Sequence, residues 1–352
     1  MNGWKNRPRP PSTPIAAHHE VAPDRSPQYP RRALDRAQPG ADRAEAREVG
    51  KAEAVQSSKA TSTPLAGWLW QIAGMKWPRI TVVTPSFNQA LFLERTLASV
   101  LSQGYPDLEY LVLDGGSTDG SVEIVKRYAD RLAYWRSERD RGQAAALREG
   151  FARSTGEVLC WINSDDTFAS GALERVGRVF ARRPEVDLIH GGLRIVDEED
   201  KRLFTQWAAI DMGTLVYESA FTSQPSSFWR RTIYEKAGGI DESYRFAMDY
   251  DLLIRMLLAG ARPLKIRRVL ASYRVHPGTK SSTLQRIGAE EVARTIARHG
   301  LAHGSNRVRM LRKYAYRALR FVRDPLSLLS AIESRLRGHG PELLTDYPSA
   351  PP

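Results

Sequence analysis

The chain predicts an α/β fold: a doubly wound, mostly parallel sheet with helices on both faces. Three observations carry that expectation. Apolar, β-branched runs alternate with helical stripes from Ile80 to Ile162. The connections between them are short, as repeated β-α units require. Two of the strands run straight into carboxylates, Asp114 on one and the adjacent pair Asp165 and Asp166 on the other.

Taken in order, Ile80 to Thr84 is a β-branched strand, and the helix after it carries Leu93, Leu97, Val100 and Leu101 on one face. Gly104 and Pro106 stop that helix. Leu108 to Leu113 is the second strand, closed by Asp114 and a Gly115-Gly116 turn, with a helix from Ser121 to Tyr128. Leu132 to Ser137 is the third strand and Gly142 to Arg153 the third helix. Glu157 to Ile162 is the fourth strand, and Ser170-Gly171 starts another helix. Further on, Val186 to Val196, Ser226 to Trp229 and Leu264 to Val275 read as strands, with an amphipathic helix from Asp249 to Ala259. Two helical segments follow, Leu284 to Arg298 and Asn306 to Val322.

The expected organisation is a disordered leader over residues 1–76 and a catalytic-type domain over 77–283, divided into a nucleotide-binding half (77–167) and an acceptor half (168–283). Basic amphipathic helices over 284–325 and a loose tail over 326–352 complete it. The leader is rich in Pro, Ala, Arg, Ser and Glu and cannot bury enough apolar surface to offset its ordering entropy. Trp68 and Trp70 are its exceptions, suited to docking on the folded body or on lipid.

Across 352 residues, 52 Lys and Arg stand against 40 Asp and Glu, a formal charge of +12. That excess favours anionic partners. The single cysteine, Cys160, excludes an internal disulfide and a cysteine-based zinc site, and within an apolar strand it reads as core. No apolar run reaches membrane-span length, and the amino terminus has no signal-peptide core. The expected location is cytoplasmic, with room for a peripheral position on the inner face of the membrane.

Charged side chains are costly in an interior unless paired or bound to metal. A carboxylate pair at the carboxyl end of a parallel strand stands where open α/β sheets bind ligands. Two hard oxygen donors, Asp165 and Asp166, suit a divalent cation that also grips a diphosphate, although either could instead cap the next helix. Thr84-Pro85-Ser86-Phe87-Asn88 precedes a helix, where hydroxyls and backbone N–H groups suit a nucleotide. Asp114 can accept the imide N–H of a uracil or thymine ring while the glycines let backbone approach it; it can equally serve its own turn.

Two longer stretches join these motifs. The segment ITVVTPSFNQALFLERTLASVLSQGYPDLEYLVLDGGSTDGSVEIVKRY, followed by DRGQAAALREGFARSTGEVLCWINSDD, resembles the inverting family 2 glycosyltransferases of the GT-A fold. These are bacterial enzymes that build surface polysaccharides of the cell envelope. The resemblance runs from Arg79 to His276. It implies a glycosyltransferase of hexosyltransferase type with a nucleotide-sugar donor, UDP before GDP or dTDP, and Mn²⁺ or Mg²⁺ as cofactor. It assigns Thr84, Pro85, Ser86, Asn88, Gly115 and Ser117 to the nucleotide side and Asp114 to the base. Asp165 is assigned to the ribose and Asp166 to the metal. Asp140, Arg141 and Gln143 would lie beside the nucleotide or sugar. One departure is Arg148-Glu149-Gly150, where many relatives have Asn-Lys-Gly.

Inverting transfer needs a base to deprotonate the acceptor hydroxyl. The family's acidic element resembles Phe246 to Leu252, with Met248 where a Glu is common. Asp249 is the candidate base and Asp251 the competitor; Arg255, four residues on, is a natural partner for Asp251. Gln224 to Arg231 resembles the acceptor-side segment, with Gln224 and Trp229 as acceptor contacts, although a Trp beside a strand also suits a core. His276 is a candidate metal ligand, with Lys280 nearby for phosphate.

From Arg307 to Arg323 the chain has seven basic residues and no acid. Leu311, Tyr314, Ala315, Ala318, Leu319 and Val322 form an apolar stripe on that helix. It suits an anionic membrane surface or packing on the core. The expected function is metal-dependent inverting transfer of a sugar to a lipid-linked or polysaccharide acceptor. The competing reading is a non-catalytic nucleotide-sugar sensor or scaffold, motivated by Met248. A nucleic-acid partner is not expected, because no nucleic-acid motif accompanies the charge.

Overall fold

A computed structural model describes residues 76–207, 209–218, 224–280, 284–301 and 306–337. The predicted leader, Trp68 and Trp70 included, lies outside the described residues up to Met75.

Nine strands form one sheet: β1 (Ile80–Ser86), β2 (Leu108–Asp114), β3 (Tyr134–Ser137), β4 (Val158–Trp161), β5 (Thr167–Phe168), β6 (Leu188–Val196), β7 (Arg202–Gln206), β8 (Ser227–Arg230) and β9 (Pro263–Arg274). Their order is β3-β2-β1-β4-β8-β6-β9-β5, with β7 on the side of β6. β1 pairs parallel with β2 and β4, and β2 with β3. β8 runs antiparallel between β4 and β6, and β9 is again parallel to β6. The sheet is therefore parallel in its first half and mixed in its second.

The helices are α1 (Ala90–Leu101), α2 (Ser121–Tyr128), α3 (Gln143–Arg153), α4 (Ala172–Arg182), α5 (Arg231–Lys236), α6 (Met248–Leu258), α7 (Gln285–Arg298), α8 (Asn306–Arg323) and α9 (Pro325–Leu336). Alternation along the strands divides the core in two. Val83, Leu111, Leu159 and Trp161 face α3 and α6. Val82, Tyr110, Val112 and Cys160 face α1 and α4. Residues i and i+2 share a face of a strand, which is why each β-branched run can feed both layers. At Gly150 on α3 a β-carbon would lie 2.6 Å from Val83 Cγ1, so this glycine lets the helix lie directly on β1.

Two expectations for the carboxyl-terminal region are corrected. The loose tail from residue 326 instead opens with α9, started by Pro325 in the first turn, where its fixed φ is already helical; residues 338–352 lie outside the described set. α7, grouped with the basic helices, packs on α6 and contributes Val292 to the core.

The register fixes the site. Ser86 stands opposite Asp114, and Asp114 opposite Ser137. Val83 pairs with Trp161, so the Asn163–Asp166 turn leaves β4 at the same sheet edge.

Candidate active site

A cavity of about 830 Å³ opens along that edge. Pro85, Ser86 and Gly115 wall one part of it, Asp140, Gln143 and Asp165 another, and Gln224 and Asp249 a third. Thr279 and Lys280 also reach it, from the turn after β9.

The β2 end is built around Asp114. One carboxylate oxygen accepts from Gly116 N at 3.0 Å, Ser117 N at 2.8 Å and Ser137 Oγ at 2.6 Å; the other accepts from Ser117 Oγ at 2.5 Å. Asp114 is fully buried and does not line the cavity. In this arrangement its carboxylate serves its own turn. Ser117 is held in the same network and accepts from Asn88 N at 2.8 Å, while Asn88 Oδ1 accepts from Thr118 N. Asn88 and Ser117 therefore lock the β1 and β2 loops together without lining the cavity. Thr84 is also buried, hydrogen-bonded to the Tyr110 hydroxyl at 2.9 Å.

At Gly115 a β-carbon would lie 3.3 Å from both carboxylate oxygens of Asp140. Absence of a side chain there lets Asp140 occupy the wall, where it accepts from Gly142 N at 2.8 Å. Arg141 instead points outward and pairs with Glu242 at 2.8 Å. Ser86 Oγ is buried at the cavity wall and has no partner among the described residues.

The two adjacent acids face different ways. Asp166 is 1% exposed and does not line the cavity. Its oxygens accept from Arg274 N at 3.0 Å and Asn163 Nδ2 at 3.2 Å. Burial pushes its carboxyl well above the usual range, and the neighbouring Asp165 charge adds to the shift. Asp166 is thus held by the edge of β9. Asp165 lines the cavity and accepts from His276 Nε2 at 3.2 Å. The His276 ring packs against Phe92 at 4.7 Å between centroids.

Arg274 is buried beneath this turn. Its guanidinium donates to the carbonyls of Asp165, Asp197 and Glu198 and to the Asp200 carboxylate, and it lies 5.0 Å from the Phe92 ring centre. On the cavity side, Gln143 Nε2 donates to Asn163 Oδ1 at 2.7 Å, and Lys280 Nζ to Gln143 Oε1 at 2.5 Å.

Across the cavity, Asp249 sits in the first turn of α6 and accepts from Tyr250 N at 2.8 Å. Asp251 points to the other side, fully buried and bonded to Arg255 at 2.7 Å, so the two carboxylates separate as an i, i+2 spacing requires. Gln224 lines the cavity with its amide donating to Trp161 O at 2.7 Å. Trp229 is not an acceptor contact. It is 1% exposed and packs edge-on against Trp161 and Phe151. An alternating strand that presents Ser227 and Trp229 to one side can put the indole only into the core.

Sequence reasoning missed Glu291. Buried on α7, its carboxylate accepts from the backbone N–H groups of Arg245, Phe246 and Ala247 at 2.8–2.9 Å. These N–H groups lie just before α6, so a distant acid fixes the segment leading into the helix that carries Asp249. Nothing near residue 247 in the sequence signals this.

The glycosyl transferase family 2 model matches residues 81–238. Over that span the chain is similar to glycosyltransferase family 2. An uncharacterized glycosyltransferase from Nostoc sp. is 28% identical over 232 residues, covering 62% of this chain and 71% of that protein. A PGL/p-HBAD biosynthesis glycosyltransferase from Mycobacterium bovis is 27% identical over 221 residues, covering 60% and 83%. Among solved structures, S. aureus TarS in complex with UDP-GlcNAc aligns with a TM-score of 0.50 at 16% identity, over 74% of this chain and 78% of that one. The mannosyltransferase PcManGT from Pyrobaculum calidifontis, in complex with GDP-Man and Mn²⁺, aligns with a TM-score of 0.51 at 18% identity, over 79% and 87%. The fold is of the GT-A type, with the cavity at the carboxyl edge of its parallel strands.

Proposed function

We propose that this glycosyltransferase moves a sugar from a nucleotide-sugar donor, most simply a UDP-sugar, to a lipid-linked or glycan acceptor with inversion at the anomeric carbon. One observation carries the reading: Asp165, joined to His276, and Asp249 line or adjoin a single cavity. The relatives' solved complexes with UDP-GlcNAc and GDP-Man support a nucleotide-sugar donor.

A divalent ion fits this donor set. A carboxylate oxygen and an imidazole nitrogen 3.2 Å apart offer one hard and one borderline ligand, a combination that Mn²⁺ accepts readily. Asp165 and His276 would hold Mn²⁺ or Mg²⁺, and the bound ion supplies charge compensation at the donor diphosphate. Asp166, whose oxygens are taken, anchors the turn that presents Asp165. Ser86 Oγ is available to a donor hydroxyl or phosphate, and Lys280 to the diphosphate. Asp140 and Gln143 orient the nucleotide sugar. Asp249 accepts the proton of the attacking acceptor hydroxyl.

The test is nucleotide release with Mn²⁺ and a panel of nucleotide sugars, beside calorimetry of donor binding. Asp165→Ala loses metal-dependent donor binding. Asp249→Asn retains donor binding while turnover falls about 100-fold or more, the scale of general-base catalysis. Unchanged turnover in both variants overturns the assignment. Donor binding by the native chain without turnover on any acceptor supports the sensor or scaffold instead.

A further inference from the structure

The last two helices are folded with their apolar faces outward. In α8, Leu311 is 71% and Val322 80% exposed, and Tyr314 and Leu319 accompany them on the surface. Among the residues that α8 turns inward is Tyr316, whose hydroxyl donates to Asp211 and whose ring packs against Tyr217, and Lys313, Arg317 and Arg320 are also half-buried. A β-carbon at Gly213 would overlap the Tyr316 ring, so that contact is close. α9 repeats the inversion. It buries Ser327 and Ser330 and uses Glu333 to accept from Thr205 N and bind Arg202, holding the helix on β7. Its opposite face carries Leu328, Leu329, Ile332 and Leu336, of which Leu329 is 58% and Leu336 82% exposed. Residues at such spacing form one stripe along a helix.

A soluble helix normally does the reverse, burying its apolar stripe against the core. Contiguous exposed apolar surface marks a binding face. Its surroundings indicate the partner. Residues 307–323 contain seven basic side chains and no acid. Burial lowers the Lys265 ammonium, Asp324 opposes that shift, and Arg320 of α8 and Arg267 of β9 are near enough to lower it further. Asp324 pairs with Lys265 and Glu333 with Arg202, leaving the local acids engaged with protein cations. Among the described residues, no helix is long and apolar enough to cross a membrane. Apolar side chains to enter an acyl boundary and cations to meet headgroups together describe an interfacial helix pair.

We propose that α8 and α9 form a docking surface for an anionic membrane, lying in the plane of the lipid headgroups. This inference goes beyond the donor chemistry and does not rest on the catalytic assignment. The full chain should pellet with vesicles of phosphatidylcholine containing phosphatidylglycerol, and at least about tenfold less with phosphatidylcholine alone. Added salt should weaken the association. The double variant Val322→Glu/Leu329→Glu should reduce pelleting about tenfold or more while its circular dichroism melt is unchanged, since both positions are already exposed. Nucleotide release in solution should also be unchanged. If the native chain stays in the supernatant, or the double variant pellets equally well, the proposal fails. If light scattering instead finds a dimer that the double variant converts to monomer, and no vesicle binding, the stripes meet a second copy and the membrane proposal is overturned.

Discussion

Glu291 shows how a single residue can govern a site it does not touch. A carboxylate that accepts three peptide N–H groups ties down the segment entering α6, whose N-cap, Ala247, has no side chain able to accept from the first turn. Bonds to a charged acceptor are worth about 1.5–3 kcal/mol each before compensation. In Glu291→Gln one oxygen is replaced by an amide that cannot accept, so α6 should loosen where Asp249 begins. We expect stability to fall by about 2 kcal/mol and kcat about tenfold, with donor affinity unchanged. A parallel loss of donor affinity would mean Glu291 supports the whole cavity rather than the α6 entry. At this scale the sequence was legible in residue type and strand-end position, and silent on orientation. Asp165 and Asp166 are chemically identical neighbours. What separates them is the backbone N–H of Arg274, contributed 108 positions later. Asp114 poses the same difficulty: the motif shows an acid beside a turn, but not that four donors already surround it.

Among the elements, the aromatic cluster joining β4, β8, α3 and α5 decides how the two halves of the sheet stay in register. Trp161 and Trp229 lie 5.4 Å apart between ring centres, Phe151 is 6.3 Å from each, and Tyr234 is 5.1 Å from Phe151. Removing one indole leaves a cavity that rigid strands cannot close. Trp229→Ala should cost about 3–5 kcal/mol in denaturant unfolding, while the folded fraction binds donor as before. A stable variant with weakened acceptor use would restore Trp229 to the acceptor side. The long elements were readable because alternation over β1, β2 and β6 and the apolar stripe of α1 extend far enough to define a period. β5 has two residues and α5 six, too few to establish one. β7 shows little burial, and it exists because β6 offers it an edge. α9 eluded reading for a different reason. Its apolar residues have helical spacing, but a stripe facing solvent gives no hint of where the helix would pack.

For the whole molecule, acid sensitivity should trace to His190, buried in β6 at the centre of the mixed half of the sheet. Burial, aided by the Lys265 charge and opposed by Asp211, lowers its imidazole to about 3. The folded value thus lies below the ordinary value near 6.5. The neutral ring contributes its stability fully above about pH 6.5, and that contribution is lost as pH falls towards 3. At pH 5 the loss is about 2 kcal/mol. Melting temperature measured from pH 7 down to pH 4 should therefore decline less steeply in His190→Gln than in the native chain. Parallel curves would place the acid sensitivity elsewhere.

The guanidinium of Arg274 has a further implication for anyone altering this chain. The hairpin connecting β6 to β7 is on the surface, where insertions and tags are ordinarily tolerated. Here its carbonyls at Asp197 and Glu198 and its Asp200 carboxylate hold the same cation that supports the peptide of Asp165. Lengthening that loop would pull on the floor beneath the cavity, so a seemingly remote graft would displace the wall that Asp165 forms.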